Sequence, residues 1–220
     1  MFYFKTTGII LNKKNVKEKS AVIYILTKNL GLIKAIAEGI NRSESKLLSV
    51  VQPGNYGKIY LIGEGSIYKL LSFLALKIPN KVYKKYPYTY LWALKFLIFF
   101  NFFELSDRFF FFVLNMDKIL IKSPAYFPFI FLNEIFKELG IEPNIENCYS
   151  CNIKLIRSKE IYLYGSKLFC EKCKKIGYEK ISKEDYLNLL NFLVKNQKPK
   201  KINKNILKKI FKSHLKSINL

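Results

Sequence analysis

Through the first 78 residues, apolar positions come in short runs separated by polar or glycine-containing breaks. "FYFKTTGIIL" gives way to the lysine-rich turn "NKKNVKEK" and then to "SAVIYILT". Asn29, Leu30 and Gly31 interrupt the pattern before "LIKAIAE", and Gly39 ends that run. "SESKLLSVV" has the length of a short helix, and Pro53-Gly54 marks a further turn. "NYGKIYLIG" and "SIYKLLSFLALKI" follow on either side of Glu64-Gly65. Five β-rich runs with a helix after the third predict a small closed barrel of OB type over residues 1–79. Closure removes the open edge that so small a sheet would otherwise expose.

After Pro79 the texture turns helical, and residues 80–220 read as an α-helical domain. "VYKKYPYTYLWALKFLIFFNFF" predicts one long helix with Pro87 near its start. Ser106-Asp107 offers a cap and a first-turn acid for "RFFFFVLNMDKILI". "AYFPFIFLNEIFKELG" ends on Gly140, placed as a C′ glycine, with Pro143 just beyond. These helices are apolar on most faces, which predicts a single buried core rich in aromatic rings. The densest stretch, "YLWALKFLIFFNFF" at 90–103, contains Lys95 and falls short of the roughly 20 residues a membrane span needs. It reads as a core helix, and no membrane partner is expected.

Further on, Ser182 opens a capping box before "YLNLLNFLVKN". "NKNILKKIFKSHLKSIN" sets Ile206, Leu207, Ile210, Phe211 and Ile218 on one stripe and Lys204, Lys208, Lys212 and Lys216 elsewhere. Such a basic amphipathic helix suits an anionic surface; a terminal helix with a solvated lysine face is the preferred reading. The only histidine, His214, sits among these lysines and reads as a surface residue.

All four cysteines fall between 146 and 175, as Cys148-x₂-Cys151-x₁₈-Cys170-x₂-Cys173. Each pair can direct two sulfurs at one metal, and 18 residues suffice to bring the second pair back. "EIYLY-GS-KLF" reads as a hairpin turning at Gly165-Ser166, giving a zinc ribbon inserted in the helical half. Asn152 stands where a knuckle needs a left-handed residue. Four thiolates close a Zn²⁺ site to water and substrate, so one structural zinc is the expected cofactor. Iron in the same site, or a dithiol redox centre, are the alternatives; the redox role needs only one of the two pairs. No P-loop is present and the 16 carboxylates form no evident pair. The chain is expected to bind rather than catalyse.

Charge sharpens this. The 220 residues carry 38 basic and 16 acidic side chains, a formal net charge of +22, with only Arg42, Arg108 and Arg157 as arginines. Residues 1–80 hold 12 basic and 4 acidic groups, 81–144 hold 8 and 6, and 145–220 hold 18 and 6. The excess therefore sits at the two ends, which favours a nucleic-acid partner over the alternative, lysine drift in an AT-rich coding sequence. The absence of a signal sequence and the cysteine spacing point to the cytoplasm. Lys13, Lys14, Lys17 and Lys19 occupy the predicted first loop, which OB barrels use for nucleic acid. Tyr56, Lys58 and Tyr60 alternate on one face of the fourth strand, either to stack bases or to pack on the helices.

Taken in order, these patterns resemble the RecO family of recombination mediators over nearly the whole chain. "TKNLGLIKAIAEG" followed by "SKLLSVVQPG" is similar to the family's OB domain. "LNEIFKELGIEPNIENCYSC" with "LFCEKC" is similar to its zinc module. The resemblance implies a non-enzymatic, nucleoid-associated protein that binds single- and double-stranded DNA and anneals complementary strands. With RecR, it would help load RecA onto DNA covered by single-stranded DNA-binding protein. Lys34, Arg42, Lys46 and Lys58 join the four loop lysines as candidate DNA contacts. One departure stands out: in "AEGINRSESK", Glu38 occupies a position that is basic in the family's pattern. The competing reading is a zinc-ribbon adaptor that binds RNA.

Overall fold

Period-two alternation builds the first part of the molecule. In the strand β2 (Ser20–Thr27), Ala21, Ile23 and Ile25 are buried while the residues between them are not. β3 (Gly31–Ala37) repeats the pattern with Ile33, Ala35 and Ala37. These strands join β1 (Phe2–Lys17), β4 (Tyr56–Glu64) and β5 (Ile67–Lys77) in a closed barrel of order β1-β2-β3-β5-β4. The helix α1 (Lys46–Val50) lies between the third and fourth strands, as expected. Ile59, Leu61, Leu70 and Phe73 complete the interior. The chain as a whole is α+β.

A computed structural model describes residues 2–64, 67–194 and 202–217 of the chain. Two compact units result, Met1–Phe127 and Pro128–Leu220. Strand texture thus ends near Pro79, while the first compact unit continues through three more helices: α2 (Asn80–Lys85), α3 (Pro87–Leu97) and α4 (Asp107–Lys122).

The expected long helix does not form. It breaks at Tyr86, because the ring of Pro87 keeps the preceding residue out of the helical region. It stops again at Asn101, which adopts a left-handed conformation at φ 44° after a short 3-10 turn. Nor is it buried on most faces. α3 buries Tyr90, Ala93, Leu94 and Leu97, one stripe at helical spacing. Trp92, Phe99, Phe103 and, on α4, Phe111 remain exposed, so not every ring of these helices fills a core as expected from the sequence.

Ser106 caps α4 as predicted, accepting a hydrogen bond from the backbone N–H of Phe109. α4 is held to the barrel by a pairing with no signal in the sequence. The ammonium of Lys77 lies 2.7 Å from the carboxylate of Asp117 and 2.5 Å from the carbonyl of Leu114.

In the second unit, α5 (Phe127–Leu139) ends on Gly140 at φ 66°. Gly140 N–H reaches the Lys137 carbonyl and Ile141 N–H the Phe136 carbonyl, the paired closure of a Schellman motif. α6 (Lys183–Leu193) is capped by Ser182, which accepts from Asp185 N–H. α7 (Lys204–Ser217) buries Ile206, Leu207, Ile210 and Phe211 and leaves Lys204, Lys208, Lys212 and Lys216 exposed. It is a docked helix; Ile218 of the expected stripe lies outside the described residues. His214 is not the surface group expected. Its ring is half-buried, set edge-on to Phe136 with centroids 4.9 Å apart, and its Nε2 lies 2.5 Å from the Ile141 carbonyl oxygen. No helix among the described residues is long and apolar enough to cross a membrane.

Candidate metal centre and nucleic-acid interface

The four cysteines converge. The sulfurs of Cys148, Cys151, Cys170 and Cys173 all lie within 4.8 Å of one another. The Cys151 and Cys170 sulfurs are 3.6 Å apart. A metal bound tetrahedrally at the zinc–thiolate distance of about 2.3 Å spaces its sulfurs by about 3.8 Å, so the cluster is compatible with such an ion.

Local backbone makes this possible. Asn152 takes the left-handed conformation at φ 58°, and its N–H closes the knuckle on the Cys148 carbonyl at 2.9 Å. β6 (Ile161–Tyr164) and β7 (Lys167–Cys170) form the predicted hairpin, turning at Gly165-Ser166. A third strand, β8 (Glu179–Ile181), pairs with β6 on its other edge. Three residues are too few to show alternation, so the sequence pattern did not reveal it.

The thiols are not equivalent. Burial opposes ionisation of Cys148, but N–H groups of Cys151, Cys170 and Ser150 outweigh it and draw the thiol down to about 6. Cys173, crowded first by the Cys151 thiol and then by burial, is pushed up to about 12. Without a metal Cys148 ionises readily, while Cys151 and Cys173 are held toward the neutral thiol. A divalent cation is what allows four thiolates to share so small a space.

The candidate DNA contacts are divided between places. Lys13, Lys14 and Lys17 are not in a loop. β1 runs on through Lys17, pairing Lys13 with Ile23 and Lys14 with Val22, and only Glu18 and Lys19 make the turn. The backbone groups at the start of β2 need partners, and extending β1 supplies them. Alternation then separates Lys13, half-buried on the side of Ile23, from exposed Lys14. Burial lowers the ammonium pKa of Lys13.

The hairpin tip meets the segment after β3. Asn41 donates to the Asn15 side chain at 3.1 Å, and its backbone N–H reaches the Lys19 carbonyl at 3.4 Å. This brings Lys19 to the exposed pair Arg42 and Lys46. Glu38 is engaged by Lys69 at 2.7 Å, so its charge is offset within the barrel wall. Lys14 and Lys34 lie in adjacent cross-strand rows of one outer wall: Lys14–Val22–Ile36 and Asn12–Tyr24–Lys34. The Lys34 ammonium is 5.9 Å from the Tyr24 ring centroid. Lys58 stands elsewhere, between Thr7 and Leu74 on the β1–β4–β5 wall.

The three residues of β4 divide likewise. Tyr56 packs edge-on against Phe110, centroids 6.3 Å apart, and serves the interior. Tyr60 is exposed, with the Lys5 ammonium 5.7 Å from its ring centroid. The sequence reading named neither Lys5 nor Tyr24; both require the strand register to be known.

Comparison with known proteins finds similarity along most of the chain. A family model described as "Recombination protein O N terminal" matches residues 1–77. Proteins named DNA repair protein RecO extend the similarity into the second unit. The one from Clostridium perfringens is 28% identical over 199 residues, covering 88% of this chain and 80% of its own. That from Clostridium kluyveri is 26% identical over 214 residues, covering 86% and 77%. That from Caldicellulosiruptor bescii is 25% identical over 240 residues, covering 100% and 91%.

Proposed function

Because the chain belongs to the RecO family, whose members are DNA repair proteins, we propose that it is a DNA-binding recombination mediator. It binds single- and double-stranded DNA and anneals complementary strands. With RecR it assists RecA loading on DNA coated by single-stranded DNA-binding protein, in the cytoplasm and at the nucleoid. It does so without catalytic turnover. Annealing asks for a broad cationic surface that screens phosphates on two strands, with no need to read bases.

The observation that carries this reading is a closed barrel whose outer wall bears Lys14, Lys34 and Tyr24 in adjacent rows. Lys19, Arg42 and Lys46 extend that cationic surface at the hairpin tip. One Zn²⁺ held by Cys148, Cys151, Cys170 and Cys173 fits the donor set; four thiolates leave no open position, so its role is structural.

Binding and annealing measured over a salt series test the proposal. Affinity for single strands should fall linearly on a log–log plot, with a slope of about −0.7 per phosphate neutralised. The charge reversals Lys14→Glu and Lys34→Glu should flatten that slope more than Lys58→Glu does. Salt-independent binding, or a strong preference for structured RNA in direct competition, would overturn the proposal; the second result would favour the RNA-binding adaptor.

A further inference from the structure

The three-stranded sheet of the ribbon has two unlike faces. Ile161, Leu163, Leu168 and Ile181 occupy one and are buried. The other carries Tyr162 opposite Phe169, Tyr164 opposite Lys167, and Lys180 opposite Tyr162. Two flanking tyrosines complete it. Tyr149 packs edge-on against Phe169 at 5.9 Å, and Tyr178 lies 4.6 Å from Phe169 and stacks on Tyr164 at 4.9 Å.

Lysines overlie these rings. The Lys167 ammonium is 3.7 Å from the Tyr149 centroid, and that of Lys174 is 4.8 Å from the Tyr162 centroid. Glu160 holds Lys180 at 2.6 Å and Lys174 at 3.8 Å, and Tyr162 donates to it at 2.5 Å. Glu160 thus engages Lys174 and Lys180, Glu171 sits beside it accepting from Glu160 N–H at 3.5 Å, and Lys167 lies over Tyr149, so three ammonium groups stand against two carboxylates.

The face is more than a core that reaches the surface. Tyr162 and Phe169 form its buried floor, but Tyr149 is 59% exposed and Tyr164 58% exposed. Tyr178 covers one side of Tyr164, which fixes the ring while leaving over half of it to solvent. Rigid exposed rings interleaved with cations are the means of binding bases without reading them: the π-face takes any base and the ammonium groups take the backbone. A duplex keeps its bases stacked inside and offers only phosphates to such a surface.

We propose that this face of the ribbon is a single-stranded DNA contact additional to the barrel wall. Bases stack on Tyr149 and Tyr164, and Lys167, Lys174 and Lys180 hold the adjoining phosphates. The proposal rests on the DNA-binding reading above and deepens it: an annealing protein gains from a surface that releases a strand once that strand has paired.

The test uses the full-length, metal-loaded chain and labelled oligo(dT), with a duplex of equal length beside it. The double variant Tyr149→Ala/Tyr164→Ala should lose about tenfold in single-strand affinity or more, while duplex affinity stays within about twofold. The Tyr149→Phe/Tyr164→Phe variant, which keeps both rings, should bind as the parent does. Lys167→Ala should reduce the salt slope by about 0.7. Metal content and thermal unfolding of each variant exclude a folding defect. Photocrosslinking to 5-iododeoxyuridine should label Tyr149 or Tyr164.

Unchanged affinity in the alanine variant, with crosslinks confined to residues 2–64, would overturn this inference and leave the DNA-binding reading intact. Equal losses on single strand and duplex would also overturn it, as would a tyrosine dependence seen only with oligo(rU). No DNA binding by the parent chain would overturn both.

Discussion

At the scale of single residues, one buried group stands out by having no partner. Tyr186 is fully buried, and its hydroxyl makes no hydrogen bond within the described residues. Burying a hydroxyl unpaired costs about 1–3 kcal/mol, while removing it leaves the ring's packing in place. Tyr186→Phe should therefore stabilise the protein by about 1 kcal/mol, read as a rise of a few degrees in the circular-dichroism melting curve. Burial, and secondarily the charge of Glu146, pushes the Tyr186 phenol up to about 12 from an ordinary value of 10. With the folded value above the unfolded one, the unfolded chain ionises first. The contribution of Tyr186 to stability is thus complete below pH 10 and is lost as pH rises toward 12. The phenylalanine variant should show a shallower alkaline loss across that window. A melting point lower than the parent's would mean that the hydroxyl has a bonding partner such as a buried water.

At the scale of elements, what was legible was whatever local sequence decides. The caps at Ser106 and Ser182, the left-handed Asn152 and the Gly140 terminus each depend on a few adjacent residues, and each forms as read. The ribbon turn at Gly165-Ser166 belongs with them. What was not legible depends on a partner distant in sequence. The polar "NKKNVKEK" resembled a loop, yet it is drawn into β1 because β2 needs its hydrogen bonds. β8 exists only as an edge to β6.

Gly31 shows both kinds of signal at once. A glycine between two strands is readable as a turn, and its φ is +62°. Nothing local, however, reveals that the Phe102 and Phe103 carbonyl oxygens would lie 2.3 and 2.4 Å from an added Cβ. The neighbouring Leu32 N–H donates to that same Phe102 carbonyl at 2.7 Å, so the close approach ties the barrel to the end of the helical run. Gly31→Ala combines a left-handed penalty of about 1–2 kcal/mol with a clash against backbone that cannot rotate away. A loss of about 3 kcal/mol or more is expected in chemical denaturation. A loss under 1 kcal/mol would show that the segment around Phe102 shifts freely.

At the scale of the molecule, the cysteine cluster and the barrel fall in different compact units. The cysteine cluster was fully legible because its ligand spacing is a property of the chain itself. The aromatic and cationic surfaces were only partly legible, because register decides which rings and ammonium groups share a face. The separation of units has a consequence for metal removal. The only tryptophan, Trp92, belongs to the first unit, whereas Tyr149, Tyr162, Tyr164 and Tyr178 belong to the ribbon that carries the cysteines, in the second. Structural zinc in small modules contributes on the order of 10 kcal/mol, more than a short three-stranded sheet supplies unaided. Chelation, or Cys148→Ser, should therefore abolish the near-ultraviolet dichroism of the ribbon tyrosines and lower the melting of the second unit. Trp92 fluorescence and its denaturation midpoint should stay where they were. If Trp92 reports the same midpoint shift as the tyrosines, the units unfold as one and the metal stabilises the barrel as well. If neither signal moves, the four sulfurs hold no structural metal.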